Sequence, residues 1–101
     1  MFDHNEPCLV ISVAAQILEV HPQTLRYYER AGLVQPSRSR GNIRLYSQSD
    51  IDRLQLIQRL IGDLGVNLAG VEVIINMTER MQELEAEVAR LRATLGEEAQ
   101  I

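Results

Sequence analysis

Apolar residues recur along this chain with the two-residue period of strands in some stretches and the helical period in others, and the changes between them mark out the elements. Leu9-Val10-Ile11 is a short apolar, β-prone run, long enough for one brief strand. Ser12 suits an N-cap, and Val13, Ala14, Ile17 and Leu18 then give a short helix an apolar face. Glu19-Val20-His21 makes a tight connection. From Pro22 the helical period returns. Gln23, Arg26, Tyr27 and Arg30 fall at i, i+3, i+4 and i+7 and share one side. Leu25, Tyr28 and Glu29 point the other way, and Thr24 lies on the boundary. Pro22 suits a first helical turn, where its missing N–H costs nothing, and Gly32 suits the end, where a positive φ is wanted. Two short helices joined by a tight connection, the second with a basic outer face, form a helix-turn-helix pattern, although the turn lacks its common glycine.

Beyond Gly32, Leu33 and Val34 are expected inside, and Pro36 precedes a basic stretch. Ser37 to Tyr46 reads as a hairpin. Gly41-Asn42 is a two-residue turn signal, and Arg40-Gly41 is the alternative bend. Ile43 and Leu45 then alternate with Arg44 and Tyr46. Ser47-Gln48-Ser49-Asp50 is a capping box. It opens a helix to about Gly62 or Leu64, with Ile51, Leu54, Ile57, Leu60, Ile61 and Leu64 as its buried stripe. Gly65 ends it, and Asn67 can cap a further helix from near Leu68.

That last helix has a different pattern. Ile74, Met77, Met81, Leu84, Val88, Leu91 and Leu95 are spaced alternately three and four apart, an a/d repeat over three heptads. Its other faces are mostly Glu, Gln, Arg and Ala, so the stripe needs a cover. The chain's own core and the same helix of a second copy are the two candidates. A second copy is favoured, because no later element is expected to cover the stripe. Ile74 to Leu95 would span roughly 33 Å, short for a stable two-stranded coil, so the globular parts should pack together too. The expected organisation is a loose or disordered tail over 1–8, a DNA-binding domain over 9–73, a dimerisation helix over 74–95 and a frayed tail over 96–101.

Charge changes the picture more than composition does. The net charge of −4 argues against a nucleic-acid partner, but its distribution argues for one. Residues 1–20 carry −3, residues 21–61 carry +4 and residues 62–101 carry −5. All ten basic residues are arginine, which codon bias explains as well as function does. Guanidiniums, an amide and a phenol on one helix face are the donors that meet phosphates and base edges. Arginines on an adjacent hairpin describe a wing lying along the backbone or in the minor groove. Gln23, Thr24, Arg26, Tyr27, Tyr28 and Arg30 on the helix, with Arg38, Arg40, Arg44 and Tyr46 on the hairpin, are the candidate DNA-binding residues. Tyr28 has a core role as its equal alternative.

A lone Cys8 excludes an intramolecular disulfide and a thiolate cluster, and His4 and His21 are far apart in sequence, so no metal or cofactor is expected. No apolar run is long enough to span a membrane, and the polar start is unlike a signal peptide; the expected location is the cytoplasm, on the nucleoid when bound. An enzyme is disfavoured, with no cysteine–histidine pair, phosphate loop or carboxylate cluster in an apolar setting.

The chain resembles the MerR family of bacterial transcription regulators. The resemblance rests on Ile11-Ser12-Val13-Ala14-Ala15, Thr24-Leu25-Arg26-Tyr27-Tyr28-Glu29-Arg30, Gly32-Leu33-Val34, Pro36, Arg38, Gly41, Arg44, Tyr46, Asp50, Leu54 and Ile57. It implies a mostly α fold: a winged helix-turn-helix followed by a long helix that forms an antiparallel coiled-coil homodimer on a near-palindromic operator. It also implies DNA contacts from Thr24, Arg26, Tyr27, Tyr28, Arg38, Arg40 and Arg44. Within the family, His21-Pro22-Gln23-Thr24-Leu25-Arg26 and Gly65-Val66-Asn67-Leu68-Ala69-Gly70-Val71 look like the HspR branch, although Tyr27 replaces a glutamine common there. That branch represses heat-shock and chaperone genes with a DnaK-type chaperone as co-repressor. The rival reading is a chaperone-modulator protein, a MerR-like module that binds a J-domain co-chaperone rather than DNA. Such a module would have no need of Arg26, Arg38, Arg40 and Arg44.

Overall fold

The computed structural model describes residues 3–99; residues 1–2 and 100–101, the ends of the two expected tails, lie outside them. The chain divides after Leu68 into two compact units, earlier than the expected boundary at residue 73.

The first unit holds β1 (Leu9–Val10), α1 (Ile11–Leu18), α2 (Pro22–Arg30), β2 (Ser37–Arg38), β3 (Arg44–Tyr46) and α3 (Gln48–Gly62). The strands form one antiparallel sheet in the order β1-β3-β2, with Leu9 opposite Tyr46 and Arg38 opposite Arg44. Leu25 and Tyr28 of α2, Leu33, Val34, Tyr46 and the stripe Ile51, Leu54, Ile57 and Leu60 of α3 form the core with Ala14, Ala15 and Leu18 of α1.

Helix α1 begins at Ile11 with Val10 as its N-cap, so Ser12 lies inside the helix and caps nothing. It buries Ala14, Ala15 and Leu18, whereas Val13 and Ile17 of the expected apolar face are exposed. Small side chains are inside here because α1 packs against both α2 and α3, where bulk would hold the backbones apart. The turn into α2 needs no glycine because Glu19 takes the left-handed conformation itself, at φ 56° and ψ 44°. The Val20 N–H then reaches the Ala15 carbonyl and the Glu19 N–H the Gln16 carbonyl, the hydrogen-bond pair of a Schellman ending. Gln58 of α3 adds a side-chain donor to the Leu18 carbonyl at 2.7 Å.

The capping box of α3 forms as expected. The Asp50 N–H donates to Ser47 Oγ at 3.0 Å, and the Ser47 N–H donates to Asp50 Oδ2 at 2.9 Å. The helix stops at Gly62, which leaves Leu64 exposed and outside the buried stripe. Asp3 to Cys8 has no regular structure, but it is tied down: the Cys8 N–H donates to the Tyr46 carbonyl and the Ser49 N–H to the His4 carbonyl.

The second unit is one helix, α4 (Leu68–Ala99), unbroken at Asn76-Met77-Thr78 and continuing past Gly96 into the expected frayed tail. Its 32 residues span about 48 Å at helical rise. Met77, Met81, Leu84, Val88, Leu91 and Leu95 lie exposed along it, and Ile74 is intermediate.

Candidate nucleic-acid interface

Helix α2 is held from behind and open in front. Leu25 is 1% exposed and Tyr28 8%, while Gln23, Tyr27 and Arg30 are exposed and Thr24 and Arg26 intermediate. The helix is fixed at both ends. His21 is its N-cap, with Nδ1 accepting from the Gln23 N–H at 3.0 Å. At the other end Gly32, at φ 78°, lets the Leu33 N–H return to the Tyr28 carbonyl. Arg53 of α3 then donates from Nε to the Leu33 carbonyl. Burial lowers the Arg53 pKa, and the Asp50 carboxylate opposes that shift.

On the open face, Arg26 Nη1 donates to Gln23 Oε1 at 2.8 Å, which orients the guanidinium before any ligand arrives. The rings of Tyr27 and Tyr28 lie 5.9 Å apart with a 47° tilt, the first exposed and the second inside. Burial, and then Tyr27, raises the Tyr28 pKa. A shallow groove of about 560 Å³ runs between Gln23, Tyr27 and Arg30 of α2 and Ile61, Val66 and Asn67 beyond it.

The hairpin turns on the alternative bend. Arg40 and Gly41 are the central residues of a turn closed by the Asn42 N–H on the Ser39 carbonyl, and Asn42 is left-handed at φ 62°. This three-residue loop places Arg40 exposed at the tip. Its strand parity is opposite to the expected one. Ile43 is 54% exposed and Tyr46 is 0% exposed, so Tyr46 lies inside and offers no surface to a ligand. Strand β3 is the central strand, and its Arg44–Tyr46 side faces inward. The Tyr46 hydroxyl is buried without a hydrogen-bond partner among the described residues. Its pKa is raised, first by burial and then by Glu29.

Arg44 and Arg38 also deviate from free wing arginines. Arg44 Nε donates to Glu29 Oε1 at 2.6 Å, and Arg38 Nη2 to Glu29 Oε2 at 3.3 Å. The residues with no assigned role in the sequence were therefore Glu29, Arg53 and Gln58. For Glu29 a signal existed: it is the acid on the side of α2 that carries Leu25 and Tyr28, where a carboxylate needs a cation.

A helix-turn-helix with a basic hairpin beside it and a long helix after it is thus in place. Residues 9–78 match the family described as MerR HTH family regulatory protein. The chain belongs to the MerR family. A Streptomyces coelicolor protein that carries the name heat shock protein HspR is 51% identical over 91 residues, 90% of this chain. The HTH-type transcriptional regulator GlnR of Bacillus anthracis is 35% identical over 79 residues, 78% of this chain. This chain spans 60% of the length of each of those two relatives. The crystal structure of HiNmlR, a MerR family regulator lacking the sensor domain and bound to promoter DNA, aligns with a TM-score of 0.64. The alignment covers 88% of this chain and 74% of that one at 22% identity, a likeness of fold. The relatedness to HspR agrees with the branch expected from the segments around His21 and Gly65.

Proposed function

We propose that this MerR-family chain is a dimeric, sequence-specific DNA-binding transcriptional regulator that represses heat-shock and chaperone genes. The observation that carries the reading is α2 itself. Its back is locked by Leu25 and Tyr28, and its front presents Gln23, Tyr27 and Arg30 exposed, with Arg26 half-buried and held beside Gln23. In this reading Arg26 and Gln23 read base edges in the major groove, Tyr27, Thr24 and Arg30 bond phosphates, and Arg40 at the wing tip follows the backbone. Tyr28 supports the helix and Tyr46 supports the wing from inside.

The exposed a/d stripe from Met77 to Leu95 is what a second copy covers, as an antiparallel coiled coil. Pairing two modules sets two recognition helices on successive turns of an inverted-repeat operator. The repressor role and a DnaK-type chaperone as co-repressor are inferred from the relatedness to HspR. The test is selection of bound duplexes from a random pool at physiological salt, with and without a DnaK-type chaperone. Enrichment of an inverted repeat, with a gain in affinity on adding the chaperone, is the expected result. Failure to enrich any repeat, together with capture of a J-domain protein, would replace this reading with that of a co-chaperone module.

A further inference from the structure

The wing and the recognition helix meet at one carboxylate. Arg38 and Arg44 are direct cross-strand partners in β2 and β3, and two like charges in that position repel. Glu29 reaches between them from α2, taking Arg44 Nε at 2.6 Å and Arg38 Nη2 at 3.3 Å. Arg38 extends the chain of bonds, donating from Nη1 to the Asn42 carbonyl in the wing turn at 3.2 Å. A continuous polar path therefore runs from the helix backbone through Glu29 to both wing strands and the loop. The three side chains are between 26% and 39% exposed, sheltered enough that water screens the pairs only in part.

We infer that Glu29 is a positioning residue for operator discrimination: it makes the wing and α2 move as one body and withholds the charge of Arg38 and Arg44 from DNA of arbitrary sequence. The inference rests on the DNA-binding reading above. Glu29 itself touches no DNA. Phosphate attraction is blind to sequence, and each phosphate neutralised contributes about 0.9 to the slope of log affinity against log salt. Two free guanidiniums on a swinging wing would bind any duplex. Held by Glu29, they carry one net positive charge between them, and the wing meets the backbone only in the orientation that the recognition helix permits. Discrimination rises because the indiscriminate attraction is held down.

The test compares wild type, Glu29→Gln and the double variant Glu29→Gln with Arg38→Gln. Each is measured against the selected inverted repeat and against a random-sequence duplex of equal length, over a salt series. Glu29→Gln should bind the random duplex several-fold more tightly, with a slope steeper by about one to two phosphates per protomer, and its preference for the repeat should fall roughly tenfold. The double variant should return the slope on random DNA towards the wild-type value, a rescue that a merely destabilised fold would not produce. A parallel measurement on the wild-type protein needs no variant to fold: the Arg44 Nε–H should show slowed exchange with water in a nitrogen–proton NMR spectrum. A wild type that selects its repeat while Glu29→Gln leaves slope and preference unchanged would overturn the role of Glu29 alone, as would a rapidly exchanging Arg44 Nε–H. A wild type that binds no duplex would overturn the DNA-binding reading and this inference with it.

Discussion

Replacing Tyr46 by phenylalanine removes one oxygen from the interior and should stabilise the protein. The side chain is fully buried, and its hydroxyl has no hydrogen-bond partner among the described residues. A buried polar group left unsatisfied costs about 1–3 kcal/mol, and the ring packs identically without it. Taking the lower end, because a small unit has room to relax, Tyr46→Phe should gain about 1 kcal/mol. For a domain of this size that is a rise in Tm of roughly 4–8 °C, measured at one protein concentration so that association does not contribute. A second signature lies at alkaline pH. The phenol pKa is raised in the fold by burial and by Glu29. The native state thus holds the proton more tightly than the unfolded chain, whose phenol titrates near 10. Stability is full below that value and is lost as pH rises through the folded pKa. Phenylalanine cannot titrate, so the variant should lose less stability above pH 10, with Tyr28, raised in the same direction, accounting for part of what remains. Affinity for the selected repeat should not change. A variant destabilised by 1 kcal/mol or more would mean that the hydroxyl is bonded. A loss of affinity at unchanged stability would mean that Tyr46 reaches DNA, as its place beside Arg44 in the strand first suggested.

Three further outcomes follow from the geometry. Glu19→Gly relieves a left-handed residue that costs about 1–2 kcal/mol, less the entropy glycine loses on folding, so urea midpoints should correspond to a gain of about 0.5–1 kcal/mol; a loss would show that the Glu19 side chain holds something in place. Arg40→Ala at the wing tip should weaken binding evenly across sequences and reduce the salt slope by about 0.9 for a phosphate contact, whereas loss of preference at a single base pair would make it a base reader. Met81→Glu puts a charge in the middle of the exposed stripe of α4 and should convert a dimer to monomers in sedimentation velocity at micromolar protein; an unchanged dimer would move the interface elsewhere.

Features set by short-range chemistry were legible in the residues. The capping box at Ser47 and Asp50, the start of α2 at Pro22 and its end at Gly32 each depend on a few neighbouring backbone groups, and the structure has them where the sequence placed them. The misjudged positions depend on what lies opposite. Val13 and Ile17 are more apolar than Ala14 and Ala15, yet the alanines are inside, because close approach of helices selects for size as well as for hydrophobicity. Strand alternation correctly put Arg44 and Tyr46 on one side, but periodicity alone does not say which side is covered. Here the covered side holds an arginine, because Glu29 waits beneath it. An acid fifteen positions away in sequence supplied what no local pattern could announce. The same distance effect hid Gln58, whose partner carbonyl at Leu18 is forty positions away.

The cap at the head of α2 also fixes a tautomer. Because His21 Nδ1 accepts the Gln23 N–H, the lone pair there is occupied, and a neutral imidazole must carry its hydrogen on Nε2. With Nδ1 committed to the cap, the ring turns its Nε2 edge outward beside Gln23, so the residue that fastens the helix also extends the polar rim of the open face by one ring nitrogen.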